Sequence, residues 1–138
     1  MFQEIIARLK ESVGLPIVEF AEDIPAIFEG TAPNSGDCFI VPHRLRASPN
    51  KLATGYRQHG TEQFLVVTVI RTHNDPTGAD RAAEFEAKRS AIETQLGGWE
   101  PPSCAEICEL VGQENTRLDN NVSVYVQTWE TARFVRGA

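Results

Sequence analysis

Few side chains in this 138-residue sequence are of types that do chemistry: three cysteines, three histidines and a scatter of carboxylates. Cys104 and Cys108 stand four apart, a gap unlike the two-residue spacing of common zinc ribbons. No second close pair follows, and His43, His59 and His73 are dispersed, so no zinc site is expected and the thiols read as semi-buried structural groups. Cys38 with a distant histidine would make a nucleophile pair, but no local signature supports one, and a strand cysteine facing the core is the simpler expectation. Glu62, Glu84 and Glu86 each fall where a solvated face is expected, which gives no paired-carboxylate acid and base. No glycine motif that cradles phosphate is present. The chain does not read as an enzyme, and no metal or cofactor is expected.

Charge is the stronger signal. The net charge of −6 argues against a dedicated nucleic-acid binder, which should be basic. Seven acids and two bases precede Cys38, whereas Cys38 to Thr61 holds no acid and carries Arg44, Arg46, Lys51 and Arg57. One basic stretch therefore sits in an acidic protein. It reads either as a solvated, mobile loop or as a docking surface for an acidic neighbour with Tyr56 as aromatic anchor. Contact with DNA is a third reading, disfavoured by the total charge.

The elements that must position these groups centre on Thr61–Pro102. Phe64 to Ile70 is apolar on both alternation faces, which predicts a central strand covered on both sides. The strand should begin around Arg57 to Thr61 and end near Thr72. Asn74-Asp75-Pro76-Thr77-Gly78 supplies turn residues, and a helix is predicted from about Gly78 to Leu96. Its buried face should carry Phe85, Ile92 and Leu96 with Ala82 and Ala91 beside them, and Glu84 and Lys88 are spaced to support one another. Gly97-Gly98, followed by Pro101-Pro102, ends it.

Before this unit, Phe2, Ile5, Ile6, Leu9 and Val13 make one stripe of a first helix, with Glu4 and Arg8 on its polar side and Gly14 as its stop. Leu15–Phe20 reads as an edge strand weakened at Pro16. Asp23 caps a helical turn that has Pro25 in its first turn. Cys38–Pro42 reads as a short strand closed by Pro42, and His43 to about Tyr56 as a long connection. After the unit, Glu106–Val111 reads as a strand ending at Gly112. Leu118–Asn121 carries a hairpin turn signal. Val122–Val135 is a long strand whose apolar side switches near Gln127-Thr128, where a bulge is predicted. The composition, 41% hydrophobic and 23% charged, suits a soluble globular domain, and no apolar run approaches a membrane span. The start of the chain lacks the pattern of a signal peptide and the odd cysteine count fits a reducing compartment, so a cytoplasmic place of synthesis is expected. With no repeat or linker, residues 1–138 are expected to form one domain. The fold class is α+β, a two-layer arrangement with two main helices on a mixed, mainly antiparallel sheet.

Taken in order, several stretches resemble the tail terminator, or tail completion, proteins of long-tailed bacteriophages. They are the first helix ending near Gly14, Pro49-Asn50-Lys51-Leu52, Arg57-Gln58 and the strand Gln63–Arg71. Asp75–Gly78 opening the helix, Leu96–Pro102 closing it, Glu109–Gly112 and the last strand with Trp129 complete the series. The resemblance spans most of the chain and rests on the order and spacing of these pieces. It implies a small α/β protein with helices against a sheet. It implies a structural job: a closed ring, of six copies, on the head-proximal end of the tail tube in the neck region of the virion, assembled in the host cytoplasm. Such a ring stops tube growth, joins the head or its completion protein, and lets DNA through its lumen without sequence-specific binding. On this reading Arg44, Arg46, Lys51, Tyr56 and Arg57 contact a neighbouring subunit or the tube. Two other classes fit the bare sequence: another neck component, such as a head completion or connector protein, and a small cytoplasmic enzyme or ligand-binding domain.

Overall fold

Helix α1 (Phe2–Lys10) turns one stripe inward, with Ile5, Ile6 and Leu9 buried. It is shorter than the apolar spacing predicts. The chain leaves the helix at Glu11, so Val13 lies outside the stripe and is fully exposed, and Gly14 is not the stop. Glu4 and Arg8 serve other partners than each other. The Glu4 carboxylate accepts the Ser103 amide at 3.2 and 3.3 Å and also the Ser103 hydroxyl, which holds it below the usual carboxylate range. Arg8 donates to the Gln95 carbonyl at 3.0 Å and lies over the Trp99 ring. These contacts tie α1 to Gln95, near the end of the helix that closes at Leu96, and to Trp99 and Ser103 beyond it.

The computed structural model describes residues 1–30, 32–71, 79–118 and 122–137. The remaining elements are β1 (Val18–Phe20), α2 (Ile24–Ile27), β2 (Cys38–Ala47), β3 (Arg57–Arg71), α3 (Ala79–Leu96), β4 (Glu109–Arg117) and β5 (Val122–Arg136). The five strands form one sheet in the order β1-β2-β3-β5-β4. Only β1–β2 is parallel. The fold is α+β, with a mixed and mainly antiparallel sheet as expected. The central strand is β3, and Phe64, Val66, Val67, Val69 and Ile70 on it are all inaccessible to solvent.

Both faces of the sheet are covered, by different elements. Phe64, Val66, Ile40 and Trp129 pack with α1 and with Ile92 and Leu96 of α3. On the opposite face, Phe39, Val41, Val67, Val69, Val122 and Val124 pack with Ala21 and with Ile27 of α2. Asp23 caps α2 as expected, its side chain accepting the Ala26 amide at 2.8 Å, with Pro25 in the first turn. This arrangement also accounts for the apolar switch in β5. Val122, Val124 and Val126 serve one core and Trp129 the other, so the β3–β5 register runs unbroken through Gln127 and Thr128. The bulge lies on β4, between Leu110 and Gly112.

In α3 the buried set is Arg81, Phe85, Ile92 and Leu96, with Ala91 packed on the core, while Ala82 is exposed. The Phe85 ring stacks on Tyr125 at 3.9 Å. Lys88 extends its ammonium to the Gly14 carbonyl at 2.8 Å. The helix ends as expected: Gly98 takes φ +76°, a conformation costly to any residue with a Cβ, and the Trp99 amide bonds back to the Leu96 carbonyl at 3.0 Å. The Asn74–Gly78 turn, the end of the strand near Thr72 and the 119–121 turn lie outside the described residues. The antiparallel pairing of β4 with β5 and the bond from the Leu118 amide to the Val122 carbonyl at 2.9 Å fit a hairpin.

The basic stretch departs most from expectation. Pro42 does not close β2. It lacks a donor, and the strand absorbs it with a bulge between Pro42 and Arg44 and continues to Ala47. This is tolerated because β1 flanks β2 only from Cys38 to Ile40. What reads as a long connection is therefore half strand, and the true connection is 48–56.

Candidate functional site

Cys38 is buried in the core that faces α1 and α3, its sulfur 3.6 Å from Thr68 Oγ1. Burial pushes its thiol up to about 11. Cys108 is buried in the same core, and burial with Cys104 beside it pushes that thiol up to about 12. Cys104 is half-buried and raised as well, chiefly by burial. A nucleophile or metal ligand needs a thiolate, and this setting favours the neutral form. Among the described residues no cluster of three or more metal-ligating side chains exists; His73 lies outside them. His59 pairs with Glu106 at 3.0 Å, Glu62 with Arg133 at 2.9 Å, and Glu84 accepts the Ser35 hydroxyl at 2.9 Å.

A pH dependence follows. Unfolded thiols titrate near 9.0, whereas Cys38 and Cys108 hold their protons to about 11 and 12. Folding thus retains protons that the unfolded chain releases. The contribution is intact below about pH 9 and is lost as pH rises through 11 and 12. Thermal melts should fall steeply on that alkaline side, and Cys108→Ala should flatten the slope; an unchanged slope would count against a buried thiol there.

The five basic-stretch residues are all exposed, and they separate into two groups. Arg44 and Arg46 stand on the outer half of β2. Arg44 Nε donates to Gln63 Oε1 at 3.2 Å, and Gln63 Nε2 donates to Glu130 Oε1 at 3.0 Å. Register carries this row one strand further, since Glu130 is opposite Glu109 of β4. Arg44, Gln63, Glu130 and Glu109 therefore form one line across four strands. The second group sits at the tip. Lys51 and Arg57 line a groove of about 320 Å³ together with His59 and Phe134. The Arg57 guanidinium lies 4.6 Å over the Phe134 ring, Arg136 approaches it at 5.7 Å, and His59 meets it edge-on at 5.7 Å. Tyr56 is half exposed, and its hydroxyl donates to Gln58.

Phe134, Arg136, Glu130 and Glu109 were not among the expected site residues. Their places depend on the β3–β5 and β4–β5 registers, which no local signal specifies. The acids of the N-terminal third also gather. Glu19, Glu22, Glu29 and Asp37 line a groove of about 510 Å³ beside α2, with no basic side chain among the described residues of its wall. Acidic and basic surfaces thus occupy the two ends of β2.

The described residues form an α+β sheet whose exposed, charged β2 arm is its most marked surface feature. The sequence pattern of the family described as phage tail terminator protein matches residues 1–137, and the chain belongs to that family. It is a structural protein of the phage tail and a component of the virion. Among solved structures it is similar in fold to a chain of the virion of a native gene transfer agent particle, with a TM-score of 0.58 at 11% identity. The match covers 96% of this chain and 92% of that one. No curated protein matches. No helix among the described residues is long and apolar enough to cross a membrane.

Proposed function

We propose that this protein closes the head-proximal end of the phage tail tube. Copies form a ring, of six, that stops tube polymerisation and offers a fresh surface to the head completion or neck protein. The observation that carries the reading is membership in the tail terminator family across residues 1–137. The fold agrees with it in kind. A closed ring needs two different, complementary patches on each copy. Here the acidic groove at Glu19, Glu22, Glu29 and Asp37 and the basic surface at Arg44, Arg46, Lys51, Tyr56 and Arg57 lie apart on one chain. Charge of this kind sets register and association rate more than affinity. DNA passes through the lumen without sequence-specific contact, consistent with the net charge of −6.

Electron microscopy of lysates lacking the protein tests this. Over-long or variable, headless tails are the expected result. Tails of normal length that fail to join heads would move the protein to another neck role, and intact infectious particles would remove the tube-closing role.

A further inference from the structure

Two edges of the sheet are left open. β1 covers β2 only from Cys38 to Ile40, so no strand among the described residues flanks the arm from Arg44 to Ala47. At the far side, β4 is the last strand; apart from the bridge of Gly97 with Cys108 just before its first residue, no strand among the described residues pairs with its outer edge. Open edges offer unpaired backbone donors and acceptors, and stable monomers normally blunt them. This β4 instead shows exposed Leu110 and Val111 at its start, next to exposed Ile107. We propose that the β2 arm of one copy pairs with the first half of β4 of the next, so that the sheet continues from subunit to subunit. The inference rests on the ring reading and assigns Arg44 and Arg46 of the arm to the β4 edge of the next copy rather than to the acidic groove.

Three features select a second copy as the occupant. The first is direction. Along β2-β3-β5-β4 each strand is antiparallel to its neighbour, so β4 runs opposite to β2. Rotation about an axis roughly along the strands brings the next β2 beside β4 antiparallel, and the alternation is unbroken. The second is parity. Residues opposite one another share a face, so Arg44 and Arg46 project on the same side of the sheet as Gln63, Glu130 and Glu109, and Leu45 projects on the same side as Leu110. Placing Leu45 opposite Leu110 puts Arg46 beside Glu109 at once. That register ends where β1 of the next copy begins, near Ile40, so only about the first half of β4 is used. The third is charge. Glu109 and Glu130 stand directly opposite each other, a repulsive pair within one chain. An incoming arginine from the arm relieves it.

The test uses exposed positions. A Leu45→Cys, Leu110→Cys double variant should give, on oxidation, a covalent ladder on a non-reducing gel, while each single variant matches wild type. The two single variants mixed should give a covalent dimer. Light scattering on the wild type is read alongside. Oligomeric wild type with no ladder and no mixed dimer would overturn the edge contact and leave the ring standing. Monomeric wild type at high concentration would overturn both. Charge exchange gives an independent arm. Arg46→Glu alone and Glu109→Arg alone should each lose assembly at least tenfold in midpoint concentration, and an equal mixture of the two should regain it, because each arm then meets an edge of opposite sign. A mixture that stays apart while both variants melt like wild type would overturn the proposal.

Discussion

Trp129→Ala is expected to cost about 3–5 kcal/mol, the range for truncating a large buried aromatic, and to lower the melting temperature by roughly 10–15 °C. Trp129 is 2% exposed and stands opposite Phe64, at the point where the sheet meets α1, α3 and Cys108. Nothing nearby can collapse into the hole, because the facing side chains are held by two helices and a central strand. A polar loss adds to the cavity. The indole Nε1 donates to Gln127 Oε1 at 3.2 Å, and Gln127 is 1% exposed, with no partner for its Nε2 among the described residues. Removing the indole leaves Gln127 Oε1 without its partner as well, and leaving such a buried group unpaired costs about 1–3 kcal/mol. Total stability for a domain of this size is about 5–15 kcal/mol, so the variant should sit near the limit of folding. Denaturant titration measures it. Val111→Ala, on the exposed start of β4, is the control and should stay within about 0.5 kcal/mol of wild type. A loss at Trp129 below about 1.5 kcal/mol would mean that this side chain does not anchor the core.

What the sequence made legible follows the range of the physics involved. Phe64–Ile70 announces a doubly covered strand because alternation and side-chain type are local, and β3 is that strand. Gly97-Gly98 announces a helix end because positive φ is a property of one residue, and Gly98 has it. Asp23 and Pro25 announce a short helix for the same reason. The misreadings lie where a distant partner decides. Pro42 looks like a terminator until the bulge beside it and the brevity of β1 are known. Val122, Val124 and Val126 against Trp129 look like a bulge until two separate cores are seen on the two faces. Val13 fits the helical stripe by spacing, yet the chain has already turned away at Glu11. The candidate site shows the same divide. Composition marked Arg44, Arg46, Lys51, Tyr56 and Arg57 as a basic stretch. The line Arg44–Gln63–Glu130–Glu109 and the Phe134 cluster exist only through registers between strands far apart in sequence.

Arg44→Glu with Arg46→Glu should leave the fold intact and abolish attachment. Both side chains are exposed, and an exposed polar contact such as that of Arg44 with Gln63 is worth at most about 1 kcal/mol, so the purified variant should melt close to wild type. At a contact between copies the arithmetic changes. Like charges brought together across an interface cost several kcal/mol, and each 1.4 kcal/mol is about tenfold in affinity. In the proposed ring the penalty recurs at every junction, so a modest loss per contact compounds into failure of the whole assembly. Complementation of phage lacking the wild-type protein should therefore drop in titre by at least about a hundredfold, with tails over-long or unattached in micrographs. Glutamine at the same two positions removes attraction without adding repulsion and should give an intermediate loss. Lys10→Glu, at the exposed end of α1, changes net charge away from the arm and should complement normally. The graded order wild type, glutamine pair, glutamate pair separates a charge contact from general acidity. Wild-type titre and tail length with the glutamate pair would mean that the arm faces solvent in the virion and that the ring closes through other surfaces.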